Sequence, residues 1–160
     1  MSHSASRNIT AEDLCFRQLE QPAQIADAWQ GLSDAFDPPL DRTVPDLPAY
    51  ARKLAENAVT IACYSPQNEL LGCISFYAND AHSQEAYIAE FATSQRFRHL
   101  GIGKALIGKA YEASRSRGMQ AIRLEVRKNN ATAQRFYARQ GFLPDEEGAT
   151  TVFLRKELVD

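Results

Sequence analysis

Apolar and polar positions divide the chain into segments of two distinct periods. Residues 14–19 alternate well enough to form a first strand. From 22 to 36, Ile25, Ala28, Trp29, Leu32 and Phe36 fall on one helical face, and Asp37-Pro38-Pro39 stops that helix because proline supplies no amide donor. Asp46 is placed to cap a second helix carrying Leu47, Tyr50 and Leu54 on one side. Runs 59–64 and 70–78 are rich in strand formers and are joined by Ser65-Pro66-Gln67-Asn68-Glu69, which predicts a hairpin. A further strand, 86–93, follows the polar loop 79–85.

The second half has sharper punctuation. Residues 101–117 place Ile102, Ala105, Leu106, Ala110 and Ala113 on an inward face. Gly118 ends that helix, with Arg115 and Arg117 suited to its carbonyl-rich end. Ile122, Leu124 and Val126 alternate with Arg123 and Glu125, a strand over 121–126. Asn130 caps a helix running to 140, Gly141 stops it, a strand begins after Phe142, and a last strand covers 151–158. The order β-α-α-β-β-β-α-β-α-β(β) describes one α/β domain over residues 13–160 around a mixed sheet, behind a polar tail at 1–12.

Composition narrows the function classes. With 160 residues, 44% hydrophobic and 24% charged, the chain can build an ordinary core without metal or disulfide staples. A net charge of -2 gives no basic field for nucleic acid. Cys15, Cys63 and Cys73 are odd in number, lack CxxC spacing and lie in predicted strands, so they read as buried reduced thiols. No metal site is expected. Residues 1–10 lack the apolar stretch of a signal peptide and no run approaches membrane-spanning length, so the chain reads as cytoplasmic with no membrane contact.

Two stretches carry chemistry. Arg96-Phe97-Arg98-His99-Leu100-Gly101-Ile102-Gly103-Lys104 joins a strand to a long helix. The unbonded N–H groups of a helix's first turn attract an anion, glycines let backbone approach a phosphate, and Arg96, Arg98 and Lys104 add positive charge. By itself this is equally a tight turn with solvated arginines. A dinucleotide-binding fold fits poorly, because its glycine fingerprint follows an early strand and carries a third glycine. Downstream, Leu124 and Val126 lead out of a strand into Asn130, Ala133 and, four residues on along one helix face, Tyr137, before Gly141-Phe142.

Together the two stretches resemble the GNAT superfamily of N-acetyltransferases. Its phosphate loop, Gln/Arg-x-x-Gly-x-Gly/Ala, is matched by Arg98-His99-Leu100-Gly101-Ile102-Gly103. Its later pattern of strand, Asn-x-x-Ala, Tyr and Gly-Phe is matched by Asn130, Ala133, Tyr137 and Gly141-Phe142. The resemblance is strong over 86–142. Two departures stand out, His99 where glycine is usual and Thr93 where valine is frequent. It implies a single-domain, mostly antiparallel mixed sheet with splayed central strands and helices on both faces. It also implies acetyl-CoA as co-substrate, its pyrophosphate on backbone N–H groups around His99, Leu100, Gly101, Ile102, Gly103 and Lys104. The pantetheine would lie between strands 86–93 and 121–126, bonded to backbone at Phe91, Ala92 and Thr93. Asn130 would contact the pantetheine, and Tyr137 would reach the thioester sulfur.

Acyl transfer to an amine requires that the amine lose a proton, that the oxyanion meet donors, and that the leaving thiolate gain a proton. Tyr137 is the candidate acid, since a phenol of pKa about 10 can protonate a thiolate whose parent has a pKa of about 8.5. A strand N–H near Ala92 would face the oxyanion. Glu90, alone among apolar neighbours, is a candidate base and equally a structural ion pair. Glu85 and a water chain are the other bases, and Glu125 reads as surface or structural. Asp34, Asp37, Asp41, Asp46, Asp145, Glu146 and Glu147 suit a cationic acceptor wall and equally serve solubility. The acceptor would be a small-molecule amine, an amino sugar or a peptide amine. The alternatives are a non-catalytic acyl-CoA-binding domain and an acyltransferase acting through cysteine. The last strand is a candidate edge for pairing with a second copy.

Overall fold

The computed structural model describes residues 9–97 and 100–158. Seven strands form one hydrogen-bonded sheet in the order β1-β2-β3-β4-β5-β7-β6. The strands are β1 (Cys15–Leu19), β2 (Val59–Tyr64), β3 (Leu70–Tyr77), β4 (Glu85–Thr93), β5 (Ala121–Arg127), β6 (Leu143–Glu147) and β7 (Thr151–Glu157). The helices are α1 (Pro22–Gly31), α2 (Leu40–Thr43), α3 (Leu47–Asn57), α4 (Ile102–Ser116) and α5 (Ala131–Arg139). The expected element order holds, with the short α2 added. The first helix is shorter than its periodicity suggests: it ends at Gly31 and passes into a 3-10 turn, Ser33–Ala35. Glycine is a poor helix former, so the apolar stripe continues through a different backbone.

Contacts divide the chain into two compact units. The first holds residues up to Ser75 together with Glu90–Lys109, and the second holds Phe76–Ala89 and the chain from Ala110 onward.

In the first unit, β1 pairs antiparallel with β2, from Cys15 opposite Tyr64 to Leu19 opposite Thr60. Asp46 caps α3 as expected, its carboxylate accepting from Ala49 N–H at 3.0 Å. Trp29, Ile25, Leu54, Leu71 and Ile74 are fully buried. The indole of Trp29 donates to Ser75 Oγ at 3.1 Å, and Ser75 bonds Thr60 Oγ1 at 2.7 Å, so the buried polar atoms satisfy one another. Nearly all of β3 is buried, without alternation, as a central strand covered on both faces must be. Gly72 lets α4 come close. A Cβ there would lie 2.9 Å from Leu106 Cδ1, 3.0 Å from Ile102 Cγ2 and 3.1 Å from the carbonyl oxygen of Ala92.

In the second unit, β5 pairs antiparallel with β7 over seven residue pairs. β6 pairs antiparallel with β7 across an irregularity between Pro144 and Glu147. This corrects the expectation that the last strand offers an edge. β6 folds back onto β7, which therefore lies between two partners, and the edges of the sheet are β1 and β6. β6 is exposed throughout and strongly acidic, as suits an edge that must not pair with strangers. Both long helices of this half end on a left-handed glycine. Gly118 has φ 84°, with Met119 N–H bonding Ser114 C=O and its own N–H bonding Arg115 C=O. Gly141 has φ 94°, with Phe142 N–H bonding Tyr137 C=O and its own N–H bonding Ala138 C=O. These paired bonds satisfy the last carbonyls of each helix.

Cys63 and Cys73 are buried, but Cys15 is exposed, contrary to expectation, because β1 is an edge strand. Among the described residues no helix is long and apolar enough to cross a membrane, and no cluster of potential metal ligands occurs.

Gly72→Ala is expected to destabilise the fold by about 1–3 kcal/mol, since the contact includes a backbone carbonyl as well as two buried side chains. Chemical denaturation should show a lower midpoint with an unchanged slope.

Candidate active site

Most candidate residues lie on β4 or follow it. Its parallel ladder with β5 is three pairs long: Glu85 with Ala121, Ala86 with Ile122 and Tyr87 with Arg123. Both strands continue past it, β5 to Arg127 on its ladder with β7, and β4 through Thr93. At the end of β4, Ser94 N–H donates to Leu71 C=O at 2.8 Å, so the β3 side stays tied. Ala92 is buried, while Phe91 and Thr93 are half-buried.

A 3-10 turn, Gln95–Phe97, follows, anchored by buried Phe97. Arg98 and His99 lie outside the described residues. Leu100 is half-buried, and Gly101 has φ 72°, a conformation that disfavours any side chain. Ala105 N–H bonds Gly101 C=O at 3.0 Å, closing the first turn of α4. The amides of Ile102, Gly103 and Lys104 precede that bond and have no helical carbonyl to meet. Ile102 is buried, Gly103 half-buried and Lys104 exposed. A glycine-led start to a 15-residue helix beside a lysine has the chemistry to hold a phosphate.

Glu90 lies in this first unit, half-buried on β4. Tyr50 Oη, from α3, donates to its Oε1 at 3.0 Å. Burial pushes the carboxyl above the usual range and the Tyr50 bond opposes that shift. No ion pair reaches it among the described residues, so the structural-pair reading finds no cation. Glu85 is the ion-paired carboxylate instead, with Arg155 Nε 2.9 Å from its Oε2.

In the second unit, Asn130 caps α5, its Oδ1 accepting from Ala133 N–H at 3.1 Å. The amides of Ala133 and the Asn130 side chain are thus occupied in starting the helix. Tyr137 is buried, with its ring against Phe136 at 5.4 Å and Phe142 at 5.5 Å between centroids. The Gly141 turn is what brings Phe142 back to it. Desolvation, and then the nearby Tyr111, raise the Tyr137 phenol well above its ordinary range, so it is a protonated donor at neutral pH. The two catalytic candidates thus belong to different units, Glu90 with the helix-start loop and Tyr137 with Asn130 and Ala133.

Two tyrosines enter that sequence reasoning did not assign. Tyr50 shares a helix face with Leu47 and Leu54. Tyr111 lies on the inward stripe of α4 between Ile107 and Ser114, where a polar-tipped aromatic was the available signal. Its hydroxyl is buried without a hydrogen-bond partner among the described residues, and burial pushes its pKa up to about 12. Several acids proposed for an acceptor wall are engaged elsewhere. Asp46 caps α3, Arg123 lies 3.1 Å from Asp145 and 3.2 Å from Glu146, and Lys128 pairs with Glu147 at 2.7 Å. Glu125 is structural as expected, accepting from Thr151 Oγ1 at 2.6 Å. Asp34, Asp37 and Asp41 are exposed.

A mixed sheet with one short parallel ladder, followed by a glycine-led helix, has the fold of acyl-CoA-dependent N-acyltransferases. The chain belongs to the acetyltransferase (GNAT) family, whose sequence pattern matches residues 25–142. It is 30% identical over 77 residues to the uncharacterized N-acetyltransferase YycN of Bacillus subtilis (strain 168), a match covering 48% of this chain and 49% of YycN. The chain thus aligns with about half the length of that relative. It is 25% identical over 122 residues to streptothricin acetyltransferase A of the same organism, covering 76% of this chain and 69% of that protein. Among solved structures it is similar to the PaiA N-acetyltransferase of Thermoplasma acidophilum in complex with coenzyme A. There the TM-score is 0.68 at 14% identity, covering 89% of this chain and 99% of that one.

The thiols provide a check on a cysteine-based mechanism. Burial, and then Cys15, push Cys63 up to about 11, and burial pushes Cys73 higher still. A thiol reagent such as dithionitrobenzoate should therefore label Cys15 alone in the native protein and all three cysteines after denaturation. Rapid native labelling of a second thiol would overturn this.

Proposed function

We propose that this chain is a cytoplasmic N-acetyltransferase, with one acetyltransferase domain over 13–160, that moves acetyl from acetyl-CoA to a primary amine by direct attack. The observation that carries the reading is the short β4–β5 ladder, which ends at Tyr87 while β4 runs on to Thr93. Such a strand suits recognition of an extended, amide-bearing arm. The free first turn of α4 behind Gly101 suits the arm's pyrophosphate. Residues 91–93 would bind the arm, and Leu100, Gly101, Ile102, Gly103 and Lys104, with Arg98 and His99, would hold the phosphates. Asn130 and Ala133 would border the arm as the family pattern implies.

Acetyl-CoA supplies an acetyl group already activated as a thioester. Glu90 takes a proton from the incoming amine, its raised pKa making it a better base than an exposed carboxylate. The N–H of Ala92 donates to the carbonyl oxygen as negative charge builds there. Tyr137 gives its proton to the departing sulfur and regains one from solvent. A new C–N bond replaces the C–S bond, and the products are an N-acetylated amine and the free thiol. The phenol's raised pKa is compatible with this role, because a thiolate released into the same low-polarity surroundings is also a stronger base than in water. The acceptor is a primary amine on a small molecule or peptide. The relation to streptothricin acetyltransferase A makes streptothricin the first small-molecule probe.

Tyr137→Phe is expected to lower turnover about 100-fold or more while acetyl-CoA binding stays within a few-fold of the parent. A thiol-release assay with streptothricin and a panel of peptide amines, run beside calorimetry, checks both halves. Unchanged turnover removes Tyr137 from the mechanism. Glu90→Gln should lower turnover with cofactor affinity retained, and an unaffected rate would shift proton removal to water. Calorimetric titration should show one saturable site for acetyl-CoA and weaker binding of dephospho-CoA, which lacks the 3′-phosphate that basic residues of the loop would grip. Absence of binding at millimolar acetyl-CoA would overturn the cofactor assignment, and binding without any amine-dependent thiol release would favour the non-catalytic alternative.

A further inference from the structure

Among the described residues, one directional hydrogen bond holds Glu90. Its Oε1 accepts from Tyr50 at 3.0 Å, whereas Oε2 has no hydrogen-bond or ion-pair partner among the described residues. A half-buried carboxylate in an apolar strand requires partners for both oxygens, because desolvation penalises each lone pair left unmet. Tyr50 is well fixed for its part. Its N–H bonds Asp46 C=O at 3.0 Å in the first turn of α3, and that helix is anchored by buried Leu47, Ala51 and Leu54 and packs on α1. The group best suited to the remaining oxygen is a pure donor, and an amine nitrogen bearing hydrogens is one.

We propose that Tyr50 is a positioning residue for the acceptor amine, its hydroxyl holding Oε1 of Glu90 so that Oε2 is the oxygen presented to the substrate nitrogen. This rests on the reading of Glu90 as the base. The proton passes from the nitrogen to Oε2 as the new C–N bond forms, and Tyr50 keeps its own proton throughout. Tyr50 acts through Glu90 and takes no part in sulfur release. Its loss therefore affects the amine half of the reaction and leaves acetyl-CoA binding alone.

The test combines spectroscopy with a double-variant cycle. Carboxyl-13C glutamate labelling resolves the titration of Glu90, and Glu90→Gln identifies its signal by disappearance. In Tyr50→Phe the Glu90 midpoint should move upward, because a hydrogen bond favouring the charged form is gone while burial remains. An unmoved midpoint overturns the contact, and this reading needs no substrate. With streptothricin as the amine probe, Tyr50→Phe should lower kcat/KM for the amine roughly tenfold and leave the KM for acetyl-CoA unchanged. In the Glu90→Gln background the same substitution should produce no further loss. Losses that multiply in the double variant would show Tyr50 acting independently of Glu90 and overturn the proposal. If Glu90→Gln alone leaves turnover intact, the base assignment fails first and the role of Tyr50 in turnover falls with it. A moved midpoint would then still record the contact itself.

Discussion

Backbone hydrogen bonding on β4 is the constraint from which the rest of the candidate site follows. A strand inside a sheet ordinarily meets partners on both edges, because an unpaired buried amide or carbonyl is penalised. β4 meets β5 for three pairs only, yet it continues in extended form through Thr93, tied to β3 through Ser94 and Leu71. Extension is maintained there by the β3 side and by buried Ala92. Gly72 belongs to the same arrangement, since without a Cβ it admits Ile102 and Leu106 of α4 and the carbonyl of Ala92 at close range. α4 is therefore held by close packing on β3.

Left-handed glycines set the remaining geometry. Gly101 turns the chain into α4, Gly118 ends that helix, and Gly141 ends α5. The last of these determines how Tyr137 is surrounded. Its carbonyl receives Phe142 N–H, and the reversal brings the Phe142 ring against its own. A phenol packed in this way has few rotamers left. At the other end of α5 the side-chain oxygen of Asn130 caps the helix and so helps to place it.

Burial also separates the roles of otherwise similar acids. Glu85 and Glu90 share one strand, but Glu85 is neutralised by Arg155 while Glu90 has a phenol in place of a cation. The first is a structural pair, and the second has one oxygen without a partner among the described residues, in a setting that raises its proton affinity. Surface acids on β6 stay with Arg123 and Lys128, where exposed pairs contribute little to stability and serve chiefly to keep an edge strand charged.

Element order, both asparagine and aspartate caps, the glycine stops and the register of Asn130, Ala133, Tyr137 and Gly141-Phe142 were all legible in the sequence. They follow from rules that act within a helical turn or along one strand: apolar periodicity, side-chain oxygens meeting free amides, and the conformational freedom of glycine. Other features depended on residues distant in the chain. Insertion of β7 between β5 and β6 removed the expected edge, and the edge position of β1 exposed Cys15. Tyr50 reached Glu90 across 40 positions, and Arg155 reached Glu85 across 70. No local pattern encodes such meetings, because they are decided by which strand pairs with which and by how closely a helix packs on the sheet.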